Sequence, residues 1–237
     1  MSRLDDAFKP DGKALTTTVI GRPGSGKSYW LKHSIRDFMK QHKDPNYRLV
    51  YVCPKHEMLL YDKSKPIGVE SLEKHLRKNR TAVVYPDPDY LEAEVDYCID
   101  TIFAIQNANP DFTCTFVSDD AQVFISSRKS ASNAFKRLAL TGRSKGIRFV
   151  AVSHVPIFSK DLEGSTSYIV WFSIPVKLYH RDAMIRYGFD PEGYLEKMSE
   201  KPYSFVWYSV TDQQSTLMNP IEVKEGSQVE PKVAPTE

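Results

Sequence analysis

Short β-branched runs alternate with longer amphipathic stretches along most of the chain, and this alternation predicts an α/β fold. Apolar runs closed by turn residues or proline predict strands at Thr16–Ile20, Arg48–Cys53, Thr81–Tyr85, Thr113–Ser118, Arg148–Val152 and Tyr168–Phe172. Helical patterns predict helices at Tyr29–Gln41, Val69–Arg77, Asp89–Ala108, Ser130–Leu140, Arg181–Tyr187 and Pro191–Met198. Strands that alternate with helices favour a mostly parallel central sheet with helices on both faces.

The last third of the chain has a different pattern. Tyr203–Ser209 alternates like a strand, and after a turn Ser215–Met218 is expected to pair back on it as a hairpin. We therefore expect antiparallel strands at one edge of the sheet. Lys224–Glu237 has no periodicity and almost no apolar bulk, which is typical of a disordered tail. These patterns divide the chain into an N-terminal arm at 1–15, one α/β domain at 16–223 and the tail at 224–237.

The composition is that of an ordinary soluble globular domain. The 237 residues are 41% hydrophobic and 26% charged, which is enough for one large core. Cys53, Cys98 and Cys114 lack the paired spacing of a zinc site, so we expect free buried thiols and a reducing compartment. The charged N-terminus is unlike a signal peptide, and no apolar run is long enough to cross a bilayer. We therefore expect an intracellular protein with no membrane span of its own.

Charge is distributed unevenly, although the formal net charge is only +2. Asp87–Asp100 is rich in acids, whereas no acidic residue occurs between Asp120 and Asp161. That acid-free stretch carries the basic residues Arg128, Lys129, Lys136, Arg137, Arg143, Lys145, Arg148 and Lys160. Two interpretations stay open: one side of the protein faces an anionic partner, or two solvated faces complement each other between subunits.

The most specific motif is the segment Gly21–Ser28, which fits the pattern G-x-x-x-x-G-K-[ST] between a predicted strand and a predicted helix. In that context the backbone N–H groups turn inward around phosphates, and the helix dipole adds to the attraction. Lys27 would reach the β- and γ-phosphates, and the Ser28 hydroxyl would ligate Mg²⁺. A turn that merely ends in Lys-Ser would not need the flanking strand and helix. We predict nucleotide contacts from Gly21, Arg22, Pro23, Gly24, Ser25, Gly26, Lys27, Ser28 and Tyr29.

A second pair of candidate residues follows the predicted strand Thr113–Ser118. Asp119 and Asp120 stand at its carboxyl end, which is where open α/β sheets bind ligands. Phosphoryl transfer needs one carboxylate for Mg²⁺ and commonly a second to orient the attacking water. We assign Asp119 to the metal and Asp120 to the water. Without the loop at Gly21–Ser28, the same residues would be only a strand that ends in an Asp-Asp turn.

Three further segments carry a resemblance to a known family. Val117–Gln122, Thr141–Ile147 and Val150–Pro156, with the basic helix before them, resemble the FtsK–HerA superfamily over about Thr16 to Phe172. The nearest branch is the genome-packaging ATPases of tailless, often membrane-containing, double-jelly-roll viruses. The resemblance implies a RecA-like P-loop NTPase domain that works with ATP and Mg²⁺. It also implies a homo-oligomeric ring, a hexamer or a pentamer, that pumps double-stranded DNA into a preformed capsid.

The resemblance also assigns roles to individual residues. Asp119 matches the Mg²⁺ aspartate, and Asp120 stands where the family has a catalytic glutamate, so its carboxylate lies about 1.5 Å further back. Arg143 matches the arginine finger, and we expect it to act on the neighbouring subunit because no feature of the same subunit near Gly21–Ser28 supplies a second cation, beside Lys27, for the γ-phosphate. His154 stands where a polar sensor, usually glutamine, is expected; a plain structural role stays open for it.

The partners follow from the same resemblance. Phosphate contacts to DNA are assigned to Arg128, Lys129, Lys136 and Arg137, although any single one of them is more often a solvated surface charge. Capsid vertex proteins are the expected assembly partners, in the host cytoplasm during assembly and at a packaging vertex of the virion. The alternatives are an assembly or secretion ATPase resembling the Zot proteins of filamentous phages, a small-molecule or nucleoside kinase, and a non-hydrolysing P-loop protein.

Overall fold

The strands form a single eight-stranded sheet in the order β3-β2-β4-β5-β1-β6-β7-β8. The computed structural model describes residues 8, 16–55, 65–125, 131–156, 160–172, 182, 184–186, 188 and 192–221. The strands in chain order are β1 Thr16–Ile20, β2 Tyr47–Val52, β3 Thr81–Val84, β4 Thr113–Ser118, β5 Ile147–Ser153, β6 Thr166–Phe172, β7 Phe205–Ser209 and β8 Gln214–Met218. The sheet is parallel from β3 to β6 and antiparallel from β6 to β8. The predicted mixed sheet with antiparallel strands at one edge is therefore confirmed.

Helices cover both faces of this sheet. The described helices are α1 Lys27–Gln41, α2 Leu72–Leu76, α3 Leu91–Ala108, α4 Asn133–Thr141, α5 Lys160–Ser165 and α6 Glu192–Glu200. Short 3-10 turns occur at Val69–Ser71, Pro88–Tyr90, Ala121–Val123 and Arg143–Lys145. No helix in the described ranges is long and apolar enough to cross a membrane.

The alternation of side chains along each strand divides the core into two layers. On β2, Leu49 and Tyr51 face the layer that contains α1, whereas Val50 and Val52 face the layer that contains α2, α3 and α4. The central strand β1 is buried along its whole length, because it pairs with β5 on one side and β6 on the other. The loop that follows β1 therefore starts from a fully buried part of the sheet.

The layer against α1 also contains one residue from the N-terminal segment. Phe8 is fully buried and packs against Trp30 and Phe38, with ring centroids 6.3 and 5.8 Å away. Its backbone carbonyl accepts a hydrogen bond from Thr115 Oγ1 at 3.1 Å. Phe8 thus belongs to the core, although the sequence predicts an arm before residue 16.

Some element boundaries differ from the prediction for local reasons. Helix α1 begins at Lys27 and not at Tyr29, because Gly26 adopts the left-handed φ of 97° that allows the helix to start there. Helix α4 begins at Asn133 because the Ser132 hydroxyl caps it by accepting from the Phe135 N–H. The short helix α5 was not predicted, since KDLEGS shows no apolar periodicity. Most of the predicted helix at 181–187, and all of the predicted tail at 224–237, lie outside the described residues.

The strand order brings together residues that are far apart in the sequence. Because β2, β4, β5 and β1 are parallel neighbours, their carboxyl ends meet at one edge of the sheet. The segments that follow these strands carry, in spatial order, Lys55, the Asp119–Asp120 pair, His154 and the loop from Gly21. This edge holds the candidate site.

Candidate nucleotide-binding site

The loop Gly21–Gly26 has the backbone geometry that an anion cradle requires. Gly24 and Gly26 adopt φ values of 75° and 97°, a left-handed conformation that side chains disfavour and that turns successive N–H groups to one side. The hydroxyl of Ser25 is buried and has no hydrogen-bond partner within the described part of the chain. A buried polar atom without a partner is costly, so a ligand oxygen would fit here.

A cavity of about 380 Å³ opens in front of the loop. Its walls contain most of the residues that the sequence assigned to the site: Pro23, Gly24, Gly26, Lys27, Ser28, Tyr29, Asp119, Asp120 and His154. Two residues that the sequence did not single out, Lys55 and Tyr203, line the same cavity. The structure therefore brings the loop and the carboxylate pair together around one space.

Lys27 is held at the base of this cavity by the loop itself. Its ammonium donates to the carbonyl oxygens of Gly21 and Arg22 and lies 3.2 Å from Nδ1 of His154. Burial lowers the pKa of Lys27 to about 8, although the nearby charges of Asp119 and Asp120 act in the opposite direction. A phosphate would have to replace the two carbonyls as the acceptor for this ammonium.

Asp119 is fixed by the neighbouring strand. The hydroxyl of Tyr51 on β2 donates to Asp119 Oδ2 at 3.0 Å, and the Asp119 N–H donates to the Val52 carbonyl at 3.0 Å. Burial, followed by the charge of Asp120, raises the pKa of the Asp119 carboxyl above its usual range. A cation at this position would lower that pKa again, so the environment of Asp119 suits a metal ligand.

Both carboxylate oxygens of Asp120 are engaged. Oδ2 lies 2.8 Å from Lys55 Nζ, and Oδ1 accepts from Gln122 Nε2 at 3.0 Å and lies 2.9 Å from His154 Nε2. Burial alone would raise the pKa of Asp120, but the hydrogen bonds from Lys55 and Gln122 outweigh it and hold the pKa below its usual value. Asp120 is therefore ionised at neutral pH, as a residue that polarises water must be.

The backbone at Asp120 helps to explain the residue found there. Its φ of 48° is left-handed, and it begins the 3-10 turn Ala121–Val123. Asp adopts this conformation more readily than most residues with a Cβ. Where the resemblance to the FtsK–HerA superfamily implies glutamate, this chain has a residue that suits the turn.

His154 links the loop to the carboxylate pair. Nδ1 of His154 lies 3.2 Å from Lys27 Nζ, and Nε2 lies 2.9 Å from Asp120 Oδ1 and 3.4 Å from Lys55 Nζ. His154 therefore lies between Lys27 and the candidate catalytic carboxylate of Asp120, and its role as a sensor stays a prediction. His154 contacts Lys27 on one side and Asp120 on the other.

Arg143 lies at the opposite edge of the sheet. It is exposed in the 3-10 turn Arg143–Lys145, just before β5, whereas His154 follows β5 directly. The seven residues of β5 separate the two edges by roughly 20 Å. Arg143 cannot reach the loop of its own chain across that distance.

The basic residues assigned to DNA occupy different environments. Arg128 and Lys129 lie outside the described residues. Arg137 on α4 forms an ion pair with Asp100 on α3 and stacks over the Phe103 ring, with its guanidinium carbon 4.5 Å from the ring centroid. Lys136 is half-buried on α4. The acidic and basic helices thus contact each other within one chain, an arrangement that neither interpretation of the charge pattern predicted.

The residues present fit a nucleotide with Mg²⁺. The loop offers turned backbone donors and one lysine, while the Ser28 hydroxyl and the Asp119 carboxylate supply hard oxygen donors in the same cavity. Mg²⁺ is usually held by one or two such groups together with substrate phosphates. When bound, the ion would neutralise charge that develops on the β- and γ-phosphates.

Solved structures of ATPases share this fold. The genome-packaging NTPase B204 from Sulfolobus turreted icosahedral virus 2, in complex with AMPPCP, is similar with a TM-score of 0.68 at 19% identity, over 88% of this chain and 98% of that chain. The DNA-packaging ATPase B204 from Sulfolobus turreted icosahedral virus is similar with a TM-score of 0.62 at 18% identity, over the same 88% and 98%. The cytoplasmic domain of the type VII secretion ATPase EccC from Thermomonospora curvata is similar with a TM-score of 0.63 at 16% identity, over 90% of this chain and 26% of that chain. No protein-family model and no curated protein matches the sequence.

The fold and the site together define the class of this protein. The chain has the α/β, RecA-like fold of P-loop ATPases, as predicted, and its structural neighbours are consistent with the resemblance to the FtsK–HerA superfamily.

Proposed function

We propose that this protein is an ATP-hydrolysing motor that moves double-stranded DNA into a preformed viral capsid. The observation that carries the proposal is the convergence of Lys27, Asp119 and Asp120 on one cavity at the carboxyl edge of the sheet. The fold similarity to two viral packaging ATPases over nearly their whole length supports it.

Each residue of the candidate site has a separate role in the proposed hydrolysis of ATP. The loop and Lys27 bind the phosphates, Ser28 and Asp119 hold Mg²⁺, and Asp120 accepts a proton from the attacking water. To do so, Asp120 must exchange one of its present donors for water.

Arg143 completes the site from a neighbouring copy. Because it lies at the far edge of its own sheet, it can serve only the γ-phosphate of another subunit. This supports a homo-oligomeric ring, a hexamer or a pentamer, in which ATP closes each interface and hydrolysis reopens it. DNA would be held by phosphate contacts without sequence reading, and capsid vertex proteins would receive the ring in the host cytoplasm or at a packaging vertex.

One experiment tests the proposal directly. The ATPase rate of the full chain is measured with and without long double-stranded DNA, together with the mass of the assembly. We expect an oligomer whose turnover rises with DNA and is abolished by Lys27→Ala, with the far-ultraviolet circular dichroism unchanged. Wild-type turnover in Lys27→Ala would overturn the site assignment.

A second candidate is an assembly or secretion ATPase. The fold similarity to the secretion ATPase EccC favours this alternative over a small-molecule kinase. Its ATPase activity would be indifferent to DNA while still depending on Lys27 and on the assembled state. The same measurement therefore separates the two candidates.

A further inference from the structure

A second cavity, of about 420 Å³, lies next to the phosphate cavity and is almost entirely apolar. Trp30 of α1, Phe172 of β6, Phe205 of β7 and Ile221 form much of its wall. Three residues, Gly26, Tyr29 and Tyr203, line both cavities. The two spaces therefore meet at the point where the loop passes into α1.

This continuity determines what the apolar cavity can receive. A nucleotide with its phosphates on the loop must direct its ribose and base away from Lys27. The shared residues at Gly26 mark an exit from the phosphate cavity, and a large aromatic space lies directly behind it. A flat, weakly polar group attached to a phosphate chain fits both the shape and the chemistry of that space.

Tyr203 lies at the boundary between the two cavities and has an unusual backbone conformation. Its φ of 65° is left-handed, which is rare for a bulky residue, and its side chain is largely exposed. A Cβ built at Gly26 would lie 3.2 Å from Tyr203 Cδ1, so the tyrosine ring packs directly on the loop glycine. Conformations of this kind persist where the surrounding structure requires them, and they concentrate at ligand sites.

The cavity offers few side-chain groups that could read the edge of a base. Its described polar side-chain atoms are the hydroxyls of Tyr29 and Tyr203 and the indole N–H of Trp30. The Trp30 N–H is buried without a hydrogen-bond partner in the described part of the chain, and such a donor can serve the N3 or N7 acceptor that adenine and guanine share. Each tyrosine hydroxyl can act as either donor or acceptor. Strong discrimination between bases requires fixed donors and acceptors that a wrong base leaves unpaired.

We propose that this cavity is the nucleobase pocket of the site, that Tyr203 stacks on the base, and that purines are held by shape and stacking with little preference between adenine and guanine. The proposal rests on the nucleotide site described above. It adds that the protein accepts GTP as well as ATP.

Calorimetry with three ligands tests the pocket separately from the phosphate site. The dissociation constants of ADP, GDP and pyrophosphate are measured with Mg²⁺ for the wild type, Tyr203→Ala, Tyr203→Phe and Lys27→Ala. We expect ADP and GDP to bind within about tenfold of each other. Tyr203→Ala should weaken both by roughly 5- to 100-fold, the range typical of base–aromatic stacking, and leave pyrophosphate unchanged. Tyr203→Phe should behave like the wild type, and Lys27→Ala should weaken all three ligands.

Each contrary result overturns a different statement. Equal weakening of ADP and pyrophosphate in Tyr203→Ala would place the tyrosine on the phosphates and not on the base. Unchanged ADP binding would assign the cavity to another occupant, such as an apolar side chain of a second copy. A preference for ADP over GDP above 100-fold would remove the claim of weak discrimination. If the wild type bound neither ADP nor pyrophosphate, the nucleotide site itself would fail.

Discussion

The Lys55 ammonium lies 2.8 Å from Oδ2 of Asp120 and makes the candidate catalytic carboxylate part of a charge cluster. Asp120 is almost fully buried, whereas half of the Lys55 side chain is exposed. A buried carboxylate needs such a partner to remain ionised. Lys55 follows β2 and Asp120 follows β4, so the pairing depends on the adjacency of these two strands.

This pairing makes Lys55 a positioning residue for the proposed hydrolysis. Lys55→Met should lower kcat by roughly 10- to 100-fold and leave KM nearly unchanged. This fold-change corresponds to the free energy of one hydrogen bond to a charged group. Lys55→Arg should retain most of the activity, and Asp120→Asn should lose roughly 10²–10⁴-fold while still binding ATP. Steady-state kinetics give the comparison. A raised KM with normal kcat in Lys55→Met would show instead that Lys55 binds substrate.

Arg143 is predicted to act on a neighbouring subunit. An arginine finger typically raises kcat by a factor of about 10³–10⁵, so the Arg143→Ala protein should be nearly inactive by itself. Mixing it with Lys27→Ala subunits should restore activity at interfaces that combine an intact loop with an intact finger. Lys145→Ala, in the same exposed turn, is the matched control and should be active without mixing. Absence of recovery, with subunit exchange demonstrated by native mass spectrometry, would refute the trans assignment.

The residues proposed to contact DNA predict a particular salt dependence of binding. Each phosphate contact contributes a slope of about −0.9 in log K against log salt. A quadruple variant should flatten this slope and leave DNA-free hydrolysis intact. It changes four residues to glutamine: Arg128, Lys129, Lys136 and Arg137. Neutralisation avoids the repulsion that a reversed charge at Arg137 would create beside Asp100.

A control for that experiment neutralises the same number of exposed lysines elsewhere: Lys40, Lys43, Lys74 and Lys78. These changes alter the net charge equally and should preserve the slope. If both quadruple variants behaved alike in DNA titrations, general charge and not the four chosen residues would account for binding.

The cysteines are predicted to be inert in the folded protein. Cys53, Cys98 and Cys114 are free and buried, as the sequence predicted, and burial raises the pKa of Cys98 to about 12. The thiolate is the reactive form, so the raised pKa of Cys98 and the burial of all three side chains suppress reaction with a thiol reagent at pH 8. Ellman's reagent should count no thiols in the native chain and three after denaturation. Rapid labelling of the native chain would show that one of these residues becomes accessible.

The parts of the site that the sequence could predict are those that a single segment specifies. The loop motif fixes its own geometry between a strand and a helix, and Asp119 is recognisable because a parallel strand ends there. Tyr51 and Lys55 could not be assigned, since they reach the site only through the placement of β2 beside β4. Strand order is a property of the assembled sheet, and no local pattern encodes it.

Tyr203 and Arg137 illustrate two further reasons for incomplete prediction. The alternating pattern at Tyr203–Ser209 suggested a strand, but the strand begins at Phe205, and Tyr203 turns back toward the loop. The pairing of Arg137 with Asp100 follows from the contact between α3 and α4. Charge counts along the chain reveal an excess of either sign but not which helices pack together.

The burial of Phe8 determines how shortened chains should be interpreted. A chain that began at residue 16 would retain every residue of the nucleotide site and lose the ring that fills the space beside Trp30 and Phe38. Removing a buried phenylalanine ring typically costs about 3–5 kcal/mol, out of roughly 5–15 kcal/mol for a whole domain. Inactivity of such a truncated chain would therefore report lost stability and not a task for the N-terminal residues in translocation. A deletion series intended to map function should keep Phe8 and begin upstream of it.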